Sequence, residues 1–224
     1  VLIGKEKDPY DTFAYLLDLQ SKYEFKSIYF FLLADYGHND KNIPVTSKKF
    51  QALIKSMADY VQVGIHPSWA SSKDSSKLPK EIKRLEIITN REITRSRQHF
   101  LKLDLPTTYR RLIDLGIRED YTMGYASQVG FRAGTSLPFY FYDLDMETQT
   151  QLLIHPFALM DGTLNEYMEL PVDDAQYLVK ELMDRVKKVN GTFISLWHNE
   201  TVSDNRHWQD WKQVYEFTIE QACK

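Results

Sequence analysis

Three of the six histidines follow segments predicted to be strands, and this placement could give the chain a chemical activity. They are His66, His99 and His198. The first two are 99 − 66 = 33 residues apart, about one strand–helix–strand unit of ~30 residues. We therefore expect neighbouring parallel strands, whose ends could bring both imidazoles to one divalent metal ion. Two imidazoles and a carboxylate are a frequent hydrolytic ligand set for zinc, which lowers the pKa of bound water to about 7.

Each of these histidines also has a structural interpretation, as a polar residue at the end of a strand. The coincidence of three at one edge of a sheet favours a functional site, because (β/α) barrels assemble active sites there. His38, in a Gly-His-Asn-Asp turn, and His207, in a helical first turn, are interpreted as solvated. Both interpretations stay open for His155.

The alternation of side chains along a strand also points to an arginine. It puts Arg95, Arg97 and His99 on one face, and an arginine inside a barrel is costly unless it is paired or near the open end. We therefore predict Arg97 as the site residue.

The aromatic residues have two interpretations. Trp69 and Trp197 stand beside the histidines, where stacking against a sugar ring and ordinary packing are equally good explanations. Four others have helical spacing, typical of a core: Trp208, Trp211, Tyr215 and Phe217.

Short strands alternate along the chain with helices of ten to seventeen residues. The predicted strands are 27–33, 61–65, 93–98, 121–125, 130–133, 151–157 and 192–197. The predicted helices are 11–23 capped by Asp11, 47–60 capped by Ser47, 80–90, 106–116, 173–190 capped by Asp173 or Asp174, and one from about 205. This order indicates an α/β fold with a parallel sheet, closed or doubly wound. The chain opens with a helix, although such folds normally begin with a strand.

The composition of the chain limits its number of domains, its partners and its cysteine chemistry. The 224 residues, 43% of them hydrophobic, suffice for one core, so we expect a single domain, 1–224. A net charge of −3 argues against nucleic acid and membrane partners, and the oligomeric state is left open. The lone Cys223 rules out internal disulfides and a thiolate cluster. Together with Val1–Gly4, which lacks the features of a signal peptide, this single cysteine favours a cytoplasmic location.

Several enzyme classes lack their signatures. The sequence has no G-x-S-x-G, no H-E-x-x-H, no G-x-G-x-x-G and no glycine-rich phosphate loop, which argues against the corresponding hydrolases, metalloproteases and nucleotide enzymes. A glycosidase using Glu119, Asp120 or Asp161 would fit a barrel, but it gives the histidines no role.

Six strings carry a resemblance to a known family. They are Asp8–Phe13, Gly64–Ser68, Ser96–Leu101, Asp120–Ala126, Gly130–Thr135 and Leu196–Asn199. Over nearly its whole length the sequence resembles the polysaccharide deacetylases of carbohydrate esterase family 4, the NodB-homology superfamily, in a bacterial branch.

The resemblance implies a distorted (β/α)7 barrel whose metal, expected to be zinc, is held by an aspartate and two histidines. Family members often carry both histidines in one H-x-x-x-H motif, but Ala70 stands four positions after His66, so we predict His99 as the second ligand. Arg97 resembles the arginine that orients the catalytic base. His198 resembles the histidine that protonates the leaving amine and stabilises the oxyanion.

The resemblance also predicts substrate-binding residues and a missing element. Trp69, Tyr125, Arg132 and Trp197 are the predicted contacts to a carbohydrate substrate. The family's aspartate pair closes the first strand, and nothing before Asp8 resembles it. We therefore expect the domain to be N-terminally incomplete, with the third metal ligand, an aspartate, upstream.

The predicted function is removal of an acyl group, specifically N-acetyl, from a carbohydrate by a metal-dependent hydrolase. The alternative is a carbohydrate-binding or scaffold protein on a degenerate barrel, which the missing aspartates would explain.

Overall fold

The computed structural model describes residues 8–224, so the predictions about Val1–Gly4 lie outside the described residues. Its contacts divide the chain into two compact units. One contains the described residues up to Lys26, Gly124–Ser136 and Phe157–Lys224. The other contains Ser27–Met123 and Leu137–Pro156 and is called the sheet unit below. The number of domains stays a prediction.

Helices and strands alternate along most of the described chain. The helices are α1 (Phe13–Tyr23), α2 (Lys48–Tyr60), α3 (Lys77–Thr89), α4 (Thr107–Asp114), α5 (Val172–Lys188) and α6 (Lys212–Ala222). The strands are β1 (Ile28–Phe31), β2 (Gln62–Ile65), β3 (Arg95–Ser96), β4 (Glu119–Asp120), β5 (Phe139–Asp143), β6 (Thr148–Ile154), β7 (Leu159–Met160) and β8 (Ser195–Leu196). Short 3₁₀ segments cover 70–72, 99–101, 201–203 and 206–208, and a π-helical turn covers 163–167.

The sheet unit is built on six strands in the order β1-β2-β3-β4-β6-β5. All neighbours are parallel except β5, which forms an antiparallel hairpin with β6. The parallel strands bring their carboxyl ends to one edge, where His66 and the segment after β3 lie. Ser47 caps α2 as predicted, because its hydroxyl accepts a hydrogen bond from the amide of Phe50 (3.4 Å).

The other unit pairs the short parallel strands β7 and β8 beside α5 and α6. Its core has eight buried residues: Leu159, Leu164, Ala175, Val179, Met183, Trp208, Trp211 and Val214. The apolar stripe of α5 supplies three of them, as expected for an amphipathic helix. The prediction that Trp208 and Trp211 belong to a core is confirmed.

Two predicted strands were wrong, and the first helix has a different cap. Residues 121–125 and 130–133 contain isolated bends and a turn but no strand, and β4 precedes the first of these segments. Gly130 and Gly134 adopt positive φ, which breaks a strand there. In α1 the residue at the cap is Thr12 rather than Asp11, and its hydroxyl instead donates to the carbonyl of Asn199 (2.9 Å).

Among residues 8–224, α1 is the first element. Within the same residues, none of the helices has the length and apolar character needed to cross a membrane.

Candidate functional site

The position of His66 is fixed by the strand that precedes it and by the neighbouring strand. Its amide donates to the carbonyl of Phe31 (2.9 Å), which continues the pairing of β1 with β2. Its ring atom Nδ1 lies 2.5 Å from the carbonyl oxygen of Arg97. Because a carbonyl can only accept, the proton must be on Nδ1, which places the lone pair on Nε2. This is the arrangement of a metal-binding histidine whose second nitrogen is held by the backbone.

His99 is held in the same way, but by a buried carboxylate. Its Nδ1 lies 2.9 Å from Oδ1 of Asp40, and Asp40 is only 2% exposed. The same carboxylate accepts hydrogen bonds from the amides of Trp69 (2.8 Å) and Ala70 (3.0 Å). Asp40 therefore joins the loop after β1 and the loop after β2 to His99, and it places the lone pair of the imidazole on Nε2.

The rings of His66 and His99 are neighbours, with centroids 5.0 Å apart and planes inclined by 56°. Zinc–nitrogen bonds are about 2 Å long, so two imidazoles at this separation suit two ligand positions of one ion. The carboxylate oxygens of Asp40 already accept three hydrogen bonds, from His99, Trp69 and Ala70, so they are not counted as metal ligands. In the described part of the chain, no group of three or more His, Cys, Asp or Glu side chains could hold a metal. The residues present thus fit two of the three protein ligands that a catalytic zinc requires.

Arg97 lies in the same unit and is tied to the next strand. Its Nε donates to the carbonyl of Tyr121 (3.1 Å), and its guanidinium lies 4.7 Å from the ring centroid of Phe30. Both contacts orient the side chain while its backbone carbonyl holds His66. The role of Arg97 in orienting a catalytic base stays a prediction.

Two packing features support the loop that starts at His66. Gly64 lies close to β1 and β3: a Cβ there would be 2.6 Å from Phe30 Cε1 and 2.8 Å from the carbonyl oxygen of Arg95. Beyond the histidine, the amide and hydroxyl of Ser68 donate to the buried carboxylate of Glu81 (3.0 and 2.5 Å). Burial raises the pKa of Glu81 although the bonds from Ser68 lower it.

The carboxylates considered for a glycosidase are occupied by structural contacts. Asp120 is fully buried and accepts hydrogen bonds from Ser96 (2.7 Å) and from the amide and hydroxyl of Thr122 (3.0 and 2.8 Å). Burial raises the pKa of Asp120. Glu119 forms an ion pair with Arg95 (2.8 Å). These contacts leave the glycosidase hypothesis without support from either residue.

His155, which the sequence left open, belongs to this second cluster. It stacks on Tyr121 with ring centroids 4.3 Å apart and planes inclined by 3°. Its Nε2 lies 3.2 Å from Oε2 of Glu119, an atom that also accepts from the hydroxyl of Tyr121 (2.7 Å). Burial lowers the pKa of His155, against the opposing charge of Glu119.

In the other unit, His198 is paired with a fully buried aspartate. Asp161 follows β7 and His198 follows β8, so the parallel pairing of these strands brings the two residues together. The carboxylate accepts from the amide of His198 (2.6 Å) and from its Nδ1 (2.8 Å to Oδ1). His198 is about half exposed at 48% of its side chain, whereas Asp161 is 0% exposed.

Further donors hold Asp161 in its ionised form. The amide of Gly162 donates to Oδ1 (2.7 Å), and the hydroxyl of Thr201 donates to Oδ2. Burial raises the pKa of Asp161, but the charge of His198 and these hydrogen bonds outweigh it, so the pKa lies below the usual value. A buried carboxylate on Nδ1 fixes the tautomer of the imidazole, which suits an acid–base catalyst.

The four predicted substrate contacts lie in different settings. Trp69 is half-buried, and its amide donates to Asp40, the partner of His99. Trp197 packs against the core of its unit, with its indole Nε1 donating to Ser195 (3.0 Å). Tyr125 is half-buried and Arg132 is exposed in a turn. Substrate binding by all four stays a prediction.

Sequence reasoning missed the two aspartates that orient the histidines. Asp40 lies in a polar loop that was interpreted as solvated, and its only signal was a position after β1, at the same edge of the sheet as His66. Asp161 was considered only as a glycosidase carboxylate. Its place directly after a short strand, paired with the strand before His198, was the signal that could have revealed it.

Comparisons with known proteins identify the fold. No protein-family model and no curated protein matches the sequence. A solved structure described as a polysaccharide deacetylase from Mycobacterium smegmatis is similar, with a TM-score of 0.69, 15% identity, 96% of this chain and 71% of that chain covered. The structure of PuuE allantoinase is similar with a TM-score of 0.62, 13% identity, 92% of this chain and 64% of that chain covered.

These similarities show that the chain has the deacetylase-type (β/α) barrel fold that was predicted from the sequence. The six-stranded sheet in the described residues is open rather than closed on itself.

Proposed function

We propose that this protein is a metal-dependent hydrolase that removes an acyl group, specifically N-acetyl, from a carbohydrate. The observation that carries the proposal is the paired orientation of His66 and His99. Each imidazole has its Nδ1 hydrogen-bonded to an acceptor, the carbonyl of Arg97 or the carboxylate of Asp40. Two such histidines, 5.0 Å apart, form a preorganised pair of nitrogen ligands.

In this proposal the chain's own groups bind, orient and protonate. His66 and His99 would hold a divalent ion, specifically zinc, and an aspartate would complete the site. When bound, such an ion polarises the acyl carbonyl and lowers the pKa of a water molecule. Asp40 and the carbonyl of Arg97 keep the protons of the two ligand histidines on Nδ1, so that Nε2 can bind the ion.

The acid–base role is assigned to His198. Its Nδ1 is held by Asp161, so a proton carried on Nε2 is the one it can exchange with substrate, and the buried carboxylate stabilises the charged imidazolium. Protonation of the leaving amine by such a residue commonly contributes about 10²- to 10⁴-fold to the rate.

Metal binding is the first test. Cobalt or zinc titration of the full chain should give one site, and His66→Ala or His99→Ala should weaken it by about a hundredfold. His207→Ala is the matched control, because that histidine is 57% exposed and lies beside Glu166. Binding that survives both ligand substitutions unchanged would refute the assignment of the pair.

Activity is the second test. Acetate released from N-acetylated sugars in the presence of zinc should fall to background in His66→Ala. His198→Gln should lower the rate about a hundredfold or more while leaving cobalt affinity unchanged. Full activity in His66→Ala, or in zinc-free buffer with chelator, would contradict the proposal.

A second candidate is a non-catalytic carbohydrate-binding or scaffold protein. The observation that favours it is the missing third ligand group within residues 8–224. It predicts sugar binding without metal binding, even when sequence upstream of Val1 is present. Cobalt affinity in the micromolar range or better would count against it.

A further inference from the structure

Phe100, directly after the proposed ligand His99, is an exposed aromatic held in an unusual backbone conformation. It is 60% exposed, with φ 56° and ψ 22°, and the next residue, Leu101, also has a positive φ of 51°. The left-handed region is unfavourable for a non-glycine residue because its Cβ lies too close to the backbone. Such strain clusters at ligand sites, and here it turns an apolar ring towards solvent.

The neighbouring rings hold Phe100 in place. Its centroid lies 4.3 Å from that of His99 and 5.5 Å from that of Trp69, which it meets edge to face. Trp69 has one face covered, because the ammonium of Lys102 lies 4.0 Å from its ring centroid. Phe100 also packs on one side, against His99, but it is exposed whereas Trp69 is half-buried, so Phe100 offers the more accessible aromatic surface.

A cleft of about 390 Å³ opens beside this ring, within the range of small-ligand sites. It is lined by Leu32, His38, Asn39, Lys41, His99 and Phe100. The lining contains hydrogen-bonding groups and no carboxylate. Its one lysine, Lys41, makes no ion pair with any residue in 8–224. A negatively charged ligand group would therefore meet a cation without a competing acid.

We infer that Phe100 and Lys41 form a subsite for a carbohydrate that bears a negatively charged substituent. This inference rests on the proposed function for the class of substrate. The apolar face of a sugar ring covers the Phe100 ring and removes its exposed surface from water. The ammonium of Lys41 binds a carboxylate or phosphate on the sugar, and Asn39 and His38 supply hydrogen bonds to hydroxyl groups.

Binding of three N-acetylated sugars tests the subsite. The probes are N-acetylglucosamine, N-acetylmuramic acid with a carboxylate, and N-acetylglucosamine 6-phosphate, each titrated by NMR with zinc and again with chelator. The wild-type chain should bind at least one anionic sugar about fivefold more tightly than the neutral one. Lys41→Gln should remove that difference, and the stronger of the two anionic sugars identifies the substituent.

The aromatic contact has its own variants. Phe100→Ala should weaken the binding of all three sugars about tenfold. Phe100→Tyr keeps an aromatic ring and should bind them as the wild-type chain does, which would show that the loop still folds. Matched controls with no expected effect are Tyr60→Ala, at a tyrosine 72% exposed at the end of α2, and Lys55→Gln on the same helix.

Three results would overturn the inference: no sugar binding by the wild-type chain, an anionic preference that persists in Lys41→Gln, or unchanged binding in Phe100→Ala. Because sugar binding is measured with and without zinc, a failure of the subsite can be distinguished from a failure of the proposed hydrolase activity. Anionic sugar binding that depends on Phe100, in a chain that releases no acetate, would uphold the subsite while refuting the hydrolase.

Discussion

The Nδ1 atom of His66 lies 2.5 Å from the backbone carbonyl oxygen of Arg97. This bond joins the end of β2 to the end of the neighbouring β3 segment and fixes the tautomer of the imidazole. Because the acceptor is backbone, no side-chain substitution can remove it directly. The matching contact of His99 is made by a side chain, Asp40, and can be tested.

Asp40→Asn should weaken cobalt binding about tenfold. Outer partners of metal-binding histidines typically contribute about 10- to 100-fold to affinity, and an amide orients the imidazole of His99 less strongly than a carboxylate does. The measurement is a cobalt titration of the full chain. Asp59→Asn is the control, since Asp59 is an exposed partner of Arg91 (3.2 Å). Equal affinity in the Asp40 variant would show that this contact does not serve the metal site.

Asp161→Asn should lower the free energy of unfolding by about 3 kcal/mol, because buried donors from His198, Gly162 and Thr201 lose a charged acceptor. Urea unfolding at pH 7 measures it. Asp184→Asn is the control: this carboxylate is half exposed and pairs with Lys180, so its loss should cost less than about 1 kcal/mol.

The contribution of Asp161 to the free energy of unfolding should also depend on pH. The folded pKa of Asp161 is below the ordinary 3.8, so its ionisation stabilises the fold fully above that value, and the contribution is lost as the pH falls through the folded pKa. The stability difference between wild type and Asp161→Asn should therefore shrink as the pH falls from about 5 to below 3.8. A difference that grows over this acid range would contradict this assignment.

Gly64→Ala should destabilise the protein by about 1 to 3 kcal/mol, the usual cost of overpacking. The added Cβ would meet the backbone oxygen of Arg95 at 2.8 Å, and this atom cannot move without disturbing β3. Gly37→Ala is the control, since its nearest contact would be 3.9 Å away. The midpoint of urea unfolding distinguishes the two, and equal midpoints would show that β1 and β3 have more room than the structure indicates.

Ser47→Ala should cost about 1 kcal/mol, the typical value of a helix cap, because the amide of Phe50 loses its acceptor. Ser56→Ala in the same helix removes an exposed hydroxyl from the interior of α2 and should be neutral or slightly stabilising. The midpoints of thermal unfolding of the two variants compare a serine at the helix cap with a serine inside α2. A Ser47 variant as stable as wild type would show that the 3.4 Å contact contributes little.

Local sequence patterns determined many of the helices and strands of this protein. The apolar run at β1, the cap at Ser47 and the amphipathic α5 each carry their signal within one element, so helices and parallel strands could be predicted with their approximate bounds. The positions of His66 and His99 after consecutive strands, 33 residues apart, followed from the same periodicity.

Only the tertiary structure decided how the histidines are oriented and which aspartates orient them. Asp40 is 59 residues from His99, and Asp161 is 37 residues from His198. Such pairs depend on strand order and loop path, which no local pattern encodes. The strand predicted at 192–197 contains β8, whereas β7 was not predicted, since two residues show no periodicity. Sequence fixes the elements because their energetics are local, whereas partners at the ends of strands are chosen by packing across the sheet.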